Sequence, residues 1–98
     1  MLEATFKARF IERLRCRLRG VDLDIIHNTT GNSKPDLIIL GSPNWAALEF
    51  KKTARSKTRP NQPYHVERMN AKSYARFVYP TIEEEVLDEL EELFTPSR

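Results

Sequence analysis

The chain has a single cysteine and no long apolar segment. With Cys16 alone, neither an internal disulfide nor a cluster of thiolate metal ligands can form. The longest aliphatic run, Leu37 to Leu40, is far short of the ~20 residues of a membrane-spanning helix. Lys7, Arg9 and Arg13 interrupt any apolar stretch near the start, so we expect no signal peptide, no membrane association and an intracellular location.

The length and composition indicate one globular domain. The 98 residues are enough for a single hydrophobic core, and 40% of them are apolar and 31% charged, as in ordinary globular domains. We therefore treat residues 1–98 as one domain, with a core over about 2–80 and an acidic C-terminal helix over about 81–94.

Positive and negative charges are separated along the chain. Residues 1–80 contain 15 Lys and Arg but 7 Asp and Glu, whereas residues 81–98 contain one Arg and 7 acidic residues. Such basic clusters attract a polyanion by releasing its counterions, although most charge runs are only a solvated surface. The basic residues form two clusters, Lys7, Arg9, Arg13, Arg15, Arg17 and Arg19, then Lys51, Lys52, Arg55, Lys57 and Arg59.

Hydrophobic periodicity predicts the element order α-β-β-β-α-β-α, which is an α/β (α+β) fold with a mixed sheet flanked by helices. Asn61 is expected to cap the second helix, and Thr81 with Glu84 forms a capping box for the third. The predicted elements are helix 2–18, strands 21–28, 35–40 and 45–51, a basic loop 52–59, helix 61–73, strand 75–79 and helix 81–94.

The central hairpin has the most specific pattern. If Leu40 faces Trp45 across a four-residue turn, the same register places Asp36 directly opposite Glu49. Two facing carboxylates are about 5 Å apart and repel each other, so a fold normally avoids them unless a cation lies between. Lys51, two residues after Glu49, points to the same face. The alternative is an exposed strand edge with a simple ion pair, which leaves the facing carboxylates unexplained.

Pro35-Asp36 followed by Glu49-Phe50-Lys51 resembles the signature of the PD-(D/E)XK nuclease superfamily. The element order also matches its restriction-endonuclease-like αβββαβ core, with one extra C-terminal helix. Within the superfamily, the chain is most similar to the VRR-NUC type of phage nucleases and Holliday-junction resolvases. Glu3 in the first helix and Gln62 after the motif strand support this likeness, which covers about residues 2–80.

The resemblance implies a metal site. Asp36 and Glu49, with the backbone carbonyl of Phe50, would bind Mg²⁺, for which Mn²⁺ would substitute. Mg²⁺ prefers oxygen ligands and is usually held by one or two carboxylates together with water and phosphate. Glu3 would bind a second metal or a metal-bound water. Glu12 competes with Glu3 for this role, and either residue is otherwise a surface charge.

The resemblance also assigns roles to the remaining residues. Lys51 would orient or deprotonate the attacking water, or stabilise charge on the phosphate, and these alternatives stay open. Gln62 would position a water or a phosphate oxygen, unless it is only a polar residue of a first helical turn. The expected nucleic-acid contacts are Lys34, Lys52, Arg55, Lys57, Arg59, Arg9 and Arg13.

The leading hypothesis is a Mg²⁺-dependent endonuclease that hydrolyses DNA, most simply branched or Holliday-junction DNA. A two-fold symmetric junction favours a homodimer, because symmetric cutting needs two sites. The alternative is a basic nucleic-acid-binding module on the same fold that does not cleave. A third hypothesis is an interaction domain in which the basic and acidic parts pair between subunits.

Overall fold

The helices and strands follow the predicted order. The computed structural model describes residues 3–28, 35–58 and 61–95, with Glu3 described by its backbone alone. Within these residues no helix is long and apolar enough to cross a membrane. The elements are α1 (Glu3–Arg17), β1 (Asp24–His27), β2 (Leu37–Leu40), β3 (Trp45–Phe50), α2 (Gln62–Lys72), β4 (Tyr74–Val78), a 3-10 turn (Pro80–Ile82) and α3 (Glu83–Phe94).

The four strands form one mixed sheet in the order β1-β2-β3-β4. β1 with β2 and β2 with β3 are antiparallel pairs, whereas β4 is parallel to β3. Parallel neighbours need a crossover connection, and α2 supplies it by returning the chain to the start of the sheet. The predicted α+β class, with a mixed sheet flanked by helices, is confirmed.

The hydrophobic core lies between one face of the sheet and helices α1 and α3. Side chains alternate along a strand, so Leu48 and Phe50 of β3 point into this core while Glu49 between them points to the other face. Phe50 meets Phe6 and Phe10 of α1 edge to face, with ring centroids 5.8 and 5.4 Å apart. The other fully buried side chains here include Leu14, Leu37, Ile39, Val78, Val86, Leu87 and Leu90.

Helix α2 packs on the opposite face of the sheet, against β4 and β3. Ile26 of β1 and Leu40 of β2 remain 47% and 41% exposed. The second face therefore has a covered half, under α2, and an open half formed by β1 and β2.

Two predicted helix caps are wrong. Asn61 has a left-handed backbone (φ 67°) and its side chain makes no capping hydrogen bond, although its carbonyl accepts the His65 N–H at 3.0 Å. The Thr81–Glu84 capping box is absent, because residues 80–82 form a 3-10 turn and Glu84 binds arginines instead. A charge-assisted bond to a guanidinium is stronger than one to a backbone N–H, which explains the choice.

The first strand is also shorter than predicted. We expected residues 21–28, but pairing with β2 is limited to Asp24–His27. Val21 and Leu23 still pack against the core as part of the connection from α1. The alternation of apolar and polar residues in this segment reflects that packing rather than pairing with another strand.

Arginines of α1 form ion pairs with the acidic face of α3. Arg9 and Arg13 both donate to Oε1 of the buried Glu83, at 3.1 and 2.7 Å, and Arg13 also binds Glu84. Arg17 donates to Glu84 at 2.6 Å. The same guanidinium donates to Asp88 at 2.5 Å. Three arginines of the first basic cluster therefore pair with the acidic helix of the same chain.

We expect this network to make the free energy of unfolding fall in acid. The hydrogen bond from Arg13 holds the pKa of Glu84 below its ordinary value of 4.5. Burial alone would raise the pKa of Glu89, but hydrogen bonds from Tyr74 and Arg76 outweigh burial and lower it. A carboxyl group with a lowered folded-state pKa adds stability above its unfolded pKa, and that stability is lost as pH falls through the folded value.

Urea unfolding followed between about pH 6 and pH 2 measures this loss. Glu84→Gln should lower stability at neutral pH and flatten the acid dependence. Glu92→Gln, at an exposed position of the same helix, serves as the matched control and should follow the wild type. An unchanged acid slope in Glu84→Gln would contradict the assignment.

Candidate active site

The register of the hairpin is the one that the sequence predicted. Leu37 pairs with Leu48, and Leu40 pairs with Trp45. Continuing that register by one residue places Asp36 opposite Glu49, at the end of the sheet away from the hairpin turn. Both residues belong to the face opposite the main core.

The carboxylate of Asp36 is held by the backbone of β3. Its Oδ2 accepts the Phe50 N–H at 2.9 Å, at the point where the ladder between β2 and β3 ends. With the ladder continued, Phe50 would face Pro35, which has no N–H to donate. Because the N–H and C=O of one strand residue point to the same neighbour, the Phe50 carbonyl is also directed toward Asp36.

Glu49 lies in the interior of the sheet. It is only 8% exposed, on a strand flanked by β2 and β4, and it pairs laterally with Phe77 of β4. Buried carboxylates need compensating positive charge or hydrogen bonds, because desolvation disfavours the ionised form. A second carboxylate opposite Glu49 increases that need.

Lys51 supplies positive charge on the same face. Its Nζ lies 4.8 Å from the ring centroid of Phe77 and donates to the Ala54 carbonyl at 3.3 Å. Its backbone N–H donates to the Val78 carbonyl at 2.8 Å, which extends the pairing of β3 with β4 by one residue. The strand therefore holds the backbone of Lys51 in register while the side chain lies next to the partner of Glu49.

Gln62 and Glu3 are the first residues of two helices. Gln62 is the half-buried first residue of α2, and its neighbour Pro63 lines a cleft together with Lys51. The backbone of Glu3 begins α1, one turn before Lys7, while its side chain lies outside the described residues. The competing Glu12 is exposed beside Cys16 on the outer side of α1.

Sequence reasoning missed two neighbours of Asp36. The Asp36 carbonyl accepts the Asn28 N–H at 3.0 Å and Nζ of Lys7 at 3.2 Å. Lys7 was noted only as a member of the first basic cluster. Its spacing of four residues from Glu3 was the available signal, since residues four apart share a helix face.

The predicted nucleic-acid contacts divide into three groups. Lys52, Arg55 and Lys57 are exposed beside Lys51, on a loop that folds into a turn in which the Ser56 N–H donates to the Thr53 carbonyl at 3.2 Å. Arg9 and Arg13 are committed to Glu83 and Glu84, which weighs against a role in DNA contact. Lys34 and Arg59 lie outside the described residues.

The donor set fits a hard divalent cation. Among the described residues, no group of three or more His, Cys, Asp and Glu side chains could hold a metal ion. Mg²⁺ does not need such a group, because it keeps several waters and takes one or two carboxylates with other oxygen ligands. Asp36, Glu49 and the Phe50 carbonyl are an oxygen set of that kind.

No protein-family model matches the chain, and neither a curated protein nor a solved structure is significantly similar to it.

We expect Mg²⁺ to raise the melting temperature of the wild-type protein. A ligand that binds only the folded chain stabilises it, by about 2.7 kcal/mol at a hundredfold excess over its Kd. Asp36→Asn should remove most of the shift, because an amide is a weaker cation ligand that still accepts the Phe50 N–H.

Thermal unfolding with and without Mg²⁺, at constant ionic strength, is the measurement. Asp24→Asn removes an exposed carboxylate at the far end of the same sheet and should keep the full shift. Equal shifts in the two variants would contradict a site at Asp36.

Proposed function

We propose that the protein is a metal-dependent endonuclease of the PD-(D/E)XK type that hydrolyses phosphodiester bonds in DNA. The observation that carries this proposal is the register of β2 and β3, whose pairs end at Leu37 and Leu48. Continued by one residue, it would set Asp36 opposite Glu49, with Lys51 on the same face by alternation. Exposed cations beside that position, Lys52 and Arg55 among them, suit a phosphate backbone.

Asp36, Glu49 and the Phe50 carbonyl would hold Mg²⁺. Bound there, the ion would polarise the scissile phosphodiester and lower the pKa of the attacking water. The hydrogen bond from the Phe50 N–H fixes one oxygen of Asp36 before any ligand arrives. Such preorganisation is favourable, because no reorganisation is then needed when charge develops.

Lys51 would act on the phosphate or on the attacking water. Its ammonium group is restrained by the Phe77 ring and the Ala54 carbonyl, and it has further N–H bonds to donate. A positioned ammonium can stabilise negative charge on the phosphate oxygens or orient a water molecule. Gln62, at the start of α2, would add a neutral donor and acceptor.

The proposed substrate is branched DNA, and the proposed unit is a homodimer. So small a domain has little surface with which to hold DNA alone. A four-way junction is roughly two-fold symmetric, so two copies related by the same symmetry would present one site to each of two strands.

We expect the wild-type protein to nick a labelled four-way junction in Mg²⁺ or Mn²⁺, and a linear duplex less efficiently. Asp36→Asn should reduce the rate by about 10²-fold or more, since a preorganised charged group at a reacting centre contributes on that order. Gel analysis of both substrates with both proteins measures this. Equal inactivity of wild type and Asp36→Asn on every substrate would reject the enzyme.

The non-cleaving alternative has its own outcome in the same experiment. Binding that is salt-sensitive, unaffected by Mg²⁺ and unaffected by Asp36→Asn, without any cleavage, would support a nucleic-acid-binding module instead.

A matched substitution of the neighbouring Lys52 distinguishes a specific role of Lys51 from a general effect of surface charge. We expect Lys51→Met to lower the cleavage rate by about 10²-fold while the Mg²⁺-dependent rise in melting temperature persists. Lys52→Met removes the same charge from the next, exposed position and should have a small effect. If both variants lose activity equally, the contribution of Lys51 is only its charge.

A further inference from the structure

The open half of the sheet is a mainly apolar surface that continues from the candidate active site, with the exposed Asp24 beside Leu40 at its far end. Ile26 pairs with Ile38, and Leu40 pairs with Trp45, on the face that also carries Asp36 and Glu49. Leu40 is 41% exposed, and Trp45 is half-buried. We call the four residues Ile26, Ile38, Leu40 and Trp45 the floor.

One flank of α2 forms a wall beside this floor. Pro63, Glu67 and Asn70 of α2 line the cleft on the β4 side, together with Phe77 and Tyr79. At 3.6 residues per turn, the opposite flank of the helix carries residues 65, 68 and 72, which are His65, Arg68 and Lys72. We call these three the basic flank, and it lies on the side of α2 away from the cleft at β4.

Hydrogen bonds join the wall and the floor at the end of α2. At the end of α2, Oγ of Ser73 donates to the Trp45 carbonyl at 2.5 Å and accepts the Trp45 N–H at 3.2 Å. At its start, Gln62 follows the loop that carries Lys51. We call the floor together with the basic flank the groove, and it extends along β2 and β3 from Trp45 toward Asp36 and Glu49.

Two contacts with Tyr64 restrain the side chain of Arg68. Its NH1 donates to the Tyr64 hydroxyl at 3.2 Å, and its guanidinium lies 5.7 Å from the centroid of that ring. In the described part of the chain, no carboxylate lies within ion-pair distance of Arg68 or Lys72, in contrast to Arg9, Arg13 and Arg17 of α1. The flank thus retains its positive charge.

We propose that this groove binds an unpaired nucleic-acid strand, with phosphates on the basic flank, bases on the floor, and the strand directed toward Asp36 and Glu49. This rests on the proposed function only in taking the ligand to be a nucleic acid. The distance from Asp36 to Leu40 is ~13 Å at ~3.3 Å per strand residue. At ~3.4 Å per nucleotide, that is room for about four stacked nucleotides.

The chemistry of the groove favours an unpaired nucleic-acid strand over a duplex and over a second copy of the chain. A duplex turns its phosphates outward and covers its base faces, so it would present charge to the apolar floor. An unpaired strand exposes base faces that pack on apolar and aromatic side chains. A second copy of the chain would bring two basic flanks near each other around a two-fold axis, and like charges there are unfavourable.

The test uses the full-length protein in EDTA, so that binding is measured without cleavage. Trp45 is the only tryptophan of the chain and reports directly on the floor. We expect a short single-stranded oligothymidylate to quench its fluorescence in a saturable way, and a duplex of the same length to bind more weakly with little quenching.

Two pairs of substitutions probe the wall and the floor. Arg68→Gln with Lys72→Gln should reduce the slope of log affinity against log salt by about 0.7 for each lost phosphate contact. Ile26→Gln with Leu40→Gln should weaken binding about tenfold through loss of apolar contact. Arg15→Gln with Arg19→Gln removes the same charge from exposed positions elsewhere and is the matched control.

Three outcomes would overturn the proposal. The first is equal binding and quenching by duplex and single strand, and the second is an equal loss of affinity in the Arg15/Arg19 control. The third is a self-association that Ile26→Gln with Leu40→Gln abolishes without changing strand affinity, which would assign the floor to a second copy. If the wall and floor variants bind the strand as the wild type does and DNA is still cleaved, the groove is refuted and the nuclease is not. If the strand binds in the groove but no cleavage occurs, only the nuclease is refuted.

Discussion

The pairing of β2 with β3 is the constraint on which the rest of the structure depends. Side chains alternate along a strand, so a slip of one residue would turn Leu48 out of the core and Glu49 into it. The buried Leu37, Ile39 and Leu48 prevent that slip on one face. The same packing therefore sets Asp36 opposite Glu49 on the other face, and the core determines the geometry of the site.

The hairpin could be predicted from sequence because its determinants are local. An aliphatic strand, a short turn and a second strand leave few registers, and the one with Leu40 opposite Trp45 is observed. The partners of the arginines could not be predicted in this way. The sequence shows how many charges α1 and α3 carry. Arg13 comes next to Glu84 only because the two helices pack on the same face of the sheet.

The failed helix caps have the same physical origin. Thr81 and Glu84 have the spacing of a capping box, and in an isolated helix that local bond would compete only with water. In the folded chain, α1 brings two guanidinium groups to Glu84, and the charged partner prevails. Where local and tertiary partners compete for one carboxylate, a sequence pattern shows only the local one.

The ion pairs between α1 and α3 also determine where positive charge remains. They bind Arg9, Arg13 and Arg17 to carboxylates of α3, while Lys52, Arg55, Arg68 and Lys72 are exposed and form no ion pair within the described residues. Facing carboxylates repel each other, and a cation near Asp36 and Glu49 would relieve that repulsion. This distribution of positive charge is what the proposed phosphate-containing ligand requires.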